Sequence, residues 1–195
     1  KAKAKVWVAD VPSGLGRFRT LYDEDRRLPR ACSNGFASTH PHIPSGWSFR
    51  YDGNDEPLYS LHFPKGALRA WPNLQDVEIV FQFGFTMNIL GLESVDEESC
   101  VARTSVEAAY PLTSRRGRKS AWVENVLEAL NSPGEWVLNT QEKKLYLWPT
   151  GDEPGDGILA PCLRELVRME GDVDVEGPTD IPVRGLVFKD LSFTQ

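Results

Sequence analysis

Cysteine is scarce in this chain, and Cys32, Cys100 and Cys162 are too few and too scattered for a disulfide framework or the paired spacing of a zinc finger. One disulfide with one free thiol is the most that three cysteines allow. No apolar run is long enough to cross a bilayer, and no signal-peptide pattern is present, so a membrane is not an expected partner. Lys1 stands where an initiator Met would, which suggests processing or excision, and the compartment is not legible from the termini. Positive charge is thin as well: 22 Lys and Arg face 28 Asp and Glu, for a net charge of −6. The densest basic cluster, Arg115, Arg116, Arg118 and Lys119, sits in a Gly- and Ser-containing stretch that reads as a solvated loop, so nucleic acid is not expected either. Gly-x-Ser-x-Gly elbows, phosphate-binding Gly loops and Cys-x-x-Cys pairs are also missing, which leaves Ser or Cys nucleophile chemistry without support.

What remains is an ordinary globular composition. With 195 residues, 41% hydrophobic and 26% charged, the chain suits one domain with a proper core, or one domain plus a fragment of another. Val6 to Ala9 reads as a strand, and Phe18 to Tyr22 as a second, returning through the Asp23-Glu24-Asp25 turn into Arg26 to Pro29. Ser33 to Asp55 is rich in Ser, Gly, Pro, His and Asn without a sustained period, the mark of a long irregular loop. From Asp76 to Phe85, Val77, Ile79, Phe81 and Phe83 recur with a period of two, which predicts a half-buried strand. Met87 to Val95 follows as another strand, and the Asp96-Glu97-Glu98 turn leads into a hairpin partner from Cys100 to Thr104.

One segment suggests a helix. After Ser120 as cap, Trp122, Val123, Val126, Leu127 and Leu130 fall on one helical face, and Ser132, Pro133 and Gly134 end it. Glu135 to Leu138 and Leu145 to Trp148 then read as a hairpin, followed by a linker with Pro149, Pro154 and three glycines. In the tail, Leu163 to Met169, Val173 to Glu176 and Val183 to Phe193 are short extended pieces. Leu186-Val187-Phe188 and Leu191-Ser192-Phe193 look like solenoid rungs, which bury their apolar face only against stacked neighbours.

The succession VWVADVP, FRTLYDEDRRLPRA, VENVLEALNSPGEWVLNTQEKKLYLWP, LAPCLRELVRMEG and VRGLVFKDLSFTQ resembles, over nearly the full chain, the insertion domain of right-handed parallel β-helix glycoside hydrolases of the family 141 kind. Val123 to Pro149 is its most specific part. The resemblance implies a mainly β fold: a β-sandwich or barrel-like insertion module with one short helix over residues 1–160, followed over 161–195 by the first rungs of a parallel β-helix. It also implies an extracellular or periplasmic carbohydrate-active parent whose β-helix domain is the partner, with oligo- or polysaccharide as a further one. Catalytic carboxylates would lie on rungs outside this stretch, so no catalytic residue is carried over. FQFGFTMNILGLES departs from the family's His- and Trp-containing stretch, so Gln82 to Phe85 receive no ligand role.

Glycoside hydrolysis needs two carboxyl groups about 5 Å apart for retention, or about 6.5 to 9.5 Å for inversion. The acidic clusters Asp23-Glu24-Asp25, Asp52 to Glu56 and Asp96-Glu97-Glu98 lie in turn-like contexts where solvated side chains are the rule. Glu135, beside Trp136, reads as structural. His40 and His42 flank Pro41, with His62 farther on; three His can in principle form a metal site, but without a local carboxylate motif and beside flanking prolines they read as surface-loop residues, and no metal or other cofactor is expected. Aromatic faces stack on sugar rings. Trp7, Trp122, Trp136 and Trp148 sit in periodic segments and are expected in the core. Trp47 and Tyr51 in the irregular stretch, and Trp71 beside Pro72, are the carbohydrate-contact candidates, together with His40 and His42. Three functions stay open: an accessory domain shaping the groove of a β-helix enzyme, an autonomous carbohydrate-binding module, and a structural cap of a β-solenoid.

Overall fold

The computed structural model describes residues 5–41, 56–163, 165–171 and 183–191. The chain divides into two units, Lys1–Ala160 and Pro161–Gln195. Among the described residues the first unit is mainly β with one short helix, and its largest sheet curls into a half barrel. No helix among them is long and apolar enough to cross a membrane.

That sheet is built on β5 (Glu78–Phe83), which pairs antiparallel with β6 (Thr86–Asp96) on one side and β8 (Ala121–Glu124) on the other. β7 (Val101–Thr104) continues from β6, and β4 (Ser60–His62) closes the order β4-β7-β6-β5-β8. A register shift between Leu92 and Ser94 interrupts the β6–β7 ladder, and such irregularities bend a strand and add twist. Period-two alternation made β5 a half-buried strand in expectation. The fold buries more: Ile79, Val80 and Phe81 are all shielded, so both faces of its first half are covered. Each such side chain contributes about 1.5 to 3 kcal/mol by leaving water.

Two three-stranded sheets complete the unit. In one, β1 (Trp7–Asp10) pairs with β10 (Lys144–Leu147) and β10 with β9 (Trp136–Asn139); in the other, β11 (Ile158–Leu159) pairs with β2 (Leu21–Asp23) and β2 with β3 (Arg26–Leu28). A second core gathers around Trp136, which stacks on Phe18 at 5.5 Å and donates its Nε1 hydrogen to the Leu28 carbonyl at 3.2 Å. Trp136 is wholly buried as expected, whereas Trp7 is exposed and Trp122 and Trp148 are half-buried.

The expected helix from Trp122 to Leu130 does not form. Ala121 to Glu124 is strand, with Ala121 and Val123 buried on one face, and the apolar spacing that suits a helix suits this alternation as well. Asn125 then turns the chain at φ 67°, a left-handed conformation no helix interior accepts, and only a three-residue 3-10 turn, Leu127–Ala129, follows. Ser120, expected as a cap, instead bonds the Ser114 hydroxyl at 2.7 Å. The single α-helix among the described residues is the four-residue α1 (Glu56–Tyr59). The described part of the stretch after Ser33 forms no strand or helix, in keeping with an irregular loop, yet it is tied to the sheet: Ser33 and Phe36 donate to the carbonyls of Val123 and Ala121 at 2.9 and 2.7 Å, and Thr39 donates to the His62 carbonyl at 3.0 Å. Gly35 permits this approach, since a Cβ there would meet the Ala121 carbonyl at 3.3 Å. All three cysteines are free thiols, so the one disulfide the count allows is not made.

In the second unit the described residues form no strand, against the extended rungs expected there, and Val173 to Glu176 lie outside the described residues. Its apolar side chains are open to solvent, Leu163, Leu166, Leu186, Val187 and Leu191 among them.

Candidate functional site

Three side chains with metal-ligating or proton-binding chemistry meet at the edge of the large sheet. The bridge between Thr39 and His62 lays the His40-bearing segment beside β4, so the two imidazoles come from neighbouring extended segments. Glu56 opens α1, which runs directly into β4, placing the carboxylate a few residues ahead of His62 on the same continuous segment. His40 is buried, while Glu56 and His62 are half-buried. His40 Nε2 and Glu56 Oε2 are 2.5 Å apart, and the two imidazole rings meet edge-on with centroids 4.9 Å apart. One ligand atom from each of the three residues lies within 4.8 Å of the other two. Burial pushes the Glu56 carboxyl toward protonation, but the nearby Ser60 hydroxyl, the His40 hydrogen bond and the electrostatic influence of His40 and His62 outweigh it and hold the group below the usual glutamate range. Ser60 Oγ is buried beside this carboxylate without a well-aligned hydrogen bond of its own.

This cluster regroups the sequence candidates. His40 was expected to act with His42 as a sugar contact; its neighbours are His62 and Glu56. No local motif announces Glu56, because the strand bridge that delivers it is a long-range contact. His42, Trp47 and Tyr51 lie outside the described residues. Trp71 is half-buried, packs against the main core and donates its Nε1 hydrogen to Glu128 at 3.2 Å.

An aromatic feature that sequence reasoning missed sits at the β5–β6 hairpin tip. Gly84, at φ 54°, takes the first central position of the two-residue turn, and Phe85 takes the second. Phe85 is 80% exposed, its ring edge-on to Tyr110 at 5.9 Å, and Tyr110 stacks on Phe83 at 4.9 Å. Beside it Gln82, Arg115, Arg118, Lys119 and Ser120 line a shallow groove, so the basic cluster is a groove wall as well as a solvated loop.

Three of the acidic residues, Asp96, Glu135 and Glu78, have structural partners. Asp96 accepts hydrogen bonds from the Glu98 and Ser99 amides at 2.9 and 3.2 Å and from the Ser99 hydroxyl at 2.6 Å, which close its turn and hold its carboxyl below the usual range. Glu135 accepts from the Asn131 and Ser132 amides at 2.7 and 3.0 Å. Glu78, a buried carboxylate, is bound by Arg30 and by Arg17 and Arg19 at 3.0 and 2.9 Å. Burial opposes its ionisation, yet the Arg30 hydrogen bond and the three guanidinium charges prevail and depress its pKa.

A solved structure named "Glycoside hydrolase" shares this fold, with a TM-score of 0.53 at 22% sequence identity. The match covers 82% of this chain but 30% of that one, so the chain spans less than a third of its neighbour's length. No protein-family model matches the sequence, and no curated protein matches it.

Proposed function

We propose that this chain is an accessory, non-catalytic domain of a carbohydrate-active protein, a β-sandwich or barrel-like insertion that supports the substrate groove of a β-helix glycosidase. The observation that carries this reading is the fold shared with a glycoside hydrolase of more than three times the matched length, which leaves most of that enzyme beyond the shared part. The family 141-like order of motifs in the sequence supports it, as do the structural duties of Asp96, Glu135 and Glu78. The open apolar side chains of the second unit are what a first rung offers to the next. Such a parent works outside the cell or in the periplasm, on oligo- or polysaccharide.

The test is an assay of the chain on a panel of aryl glycosides and polysaccharides. The expected result is no turnover; turnover abolished by one Asp or Glu substitution within the chain would overturn the reading. A second reading, an autonomous carbohydrate-binding module, is favoured by one observation: the exposed Phe85 ring beside a groove walled by Arg115, Arg118 and Lys119. An aromatic face with adjacent cations suits acidic sugars. Retardation of the chain in gels containing an acidic polysaccharide, lost on Phe85→Ser, would move the conclusion to this reading.

A further inference from the structure

We propose that His40, Glu56 and His62 bind one divalent transition-metal ion, with zinc the best fit to the donors. Two imidazole nitrogens and one carboxylate oxygen are the donor types zinc takes, whereas calcium and magnesium take oxygen donors. In a tetrahedral site with bonds of about 2.0 to 2.1 Å, donors stand about 3.3 Å apart. Here the three lie within 4.8 Å of one another, and the His40–Glu56 pair is closer, at 2.5 Å. Side-chain torsions alone can take up differences of that size, with the ion replacing the proton that now joins His40 to Glu56.

The surroundings suit a chelate. The Thr39–His62 backbone hydrogen bond fixes the two segments that bear the imidazoles, and the buried His40 ring has little freedom to turn away. The Glu56 side chain is 40% exposed, which gives the ion a route in from solvent. Ser60, one helical turn after Glu56, brings a buried hydroxyl beside the carboxylate, the outer-shell partner that ligating carboxylates normally have. A hydrogen bond between His40 and Glu56 uses only two of these residues; His62 makes the set three-fold. Three protein ligands leave a fourth position for water or for a ligand oxygen. This inference is independent of the carbohydrate reading.

Calorimetric titration of the chelator-stripped chain with Zn2+ is expected to show one equivalent bound and a higher Tm at saturation. Glu56→Gln and His62→Gln, both at half-exposed positions, are each expected to weaken binding by more than about tenfold, since even outer-shell changes bring such losses. Circular dichroism of the metal-free variants checks that they fold. Co2+ in place of Zn2+ should give visible d–d bands without the near-ultraviolet band of a cobalt thiolate. No binding by the parent chain, unchanged affinity in both folded variants, or a thiolate band reporting Cys32, Cys100 or Cys162 would each overturn the proposal.

Discussion

Asn125 shows how much of this fold rests on a single polar side chain. Its amide donates to the Asp76 and Leu138 carbonyls at 2.9 and 2.7 Å, and its Oδ1 accepts from the Leu138 amide at 2.8 Å, tying the end of β8 to β9 and to the approach to β5. Asn tolerates the left-handed backbone better than most residues, so side chain and φ are chosen together. Asn125→Ala should therefore cost about 3 to 4 kcal/mol, read as a lower urea midpoint with unchanged slope. Leu127, two residues on, is 46% exposed, and Leu127→Ala should stay within about 0.5 kcal/mol of the parent by the same measurement. Glu78 gives a pH-dependent case. Its folded pKa is depressed, so its contribution is fully present above the unfolded glutamate value of about 4.3 and is lost as pH falls through the lower folded value. At neutral pH, Glu78→Gln should cost about 3 kcal/mol by leaving Arg30 without its buried partner. That gap between variant and parent should narrow in denaturation curves taken below about pH 4.

At the scale of elements, the β5–β6 tip separates conformation from exposure. Gly84→Val should destabilise by about 1 to 2 kcal/mol because its φ is positive, while Phe85→Ser should leave the thermal midpoint nearly unchanged because its ring is solvated. Strands whose partner is the next one along were legible in the sequence. The hairpins β6–β7 and β9–β10 fall where alternation and turn residues predict them, and β3 does too, whereas β2 begins three residues later than expected and the Gly84-Phe85 turn between β5 and β6 was read as strand. β8 was not, because Trp122, Val123 and Val126 satisfy helical and extended spacing alike. The choice is made by β5, whose Glu78 to Phe81 pair with Glu124 to Ala121, 40 to 46 positions later in the chain. His40, Glu56 and His62 were hidden for the same reason: the bridge that assembles them is a tertiary contact, and the visible His-Pro-His spacing pointed to a different partner.

For the whole molecule, the same sheet order sets which parts open first. β1 lies at the edge of its sheet with every residue exposed, whereas β5 is covered by strands on both sides and is buried at five of its six positions. Amide protons report such differences, because exchange at an edge needs only local fraying and exchange at a shielded centre needs the unit to unfold. In deuterium labelling, Trp7 to Asp10 should lose their protons early and Ile79 to Phe81 last. The slowest of these amides then become a clock for global opening: the free energy they report should equal the denaturant value, and any ligand that binds only the folded unit should slow them all by one common factor.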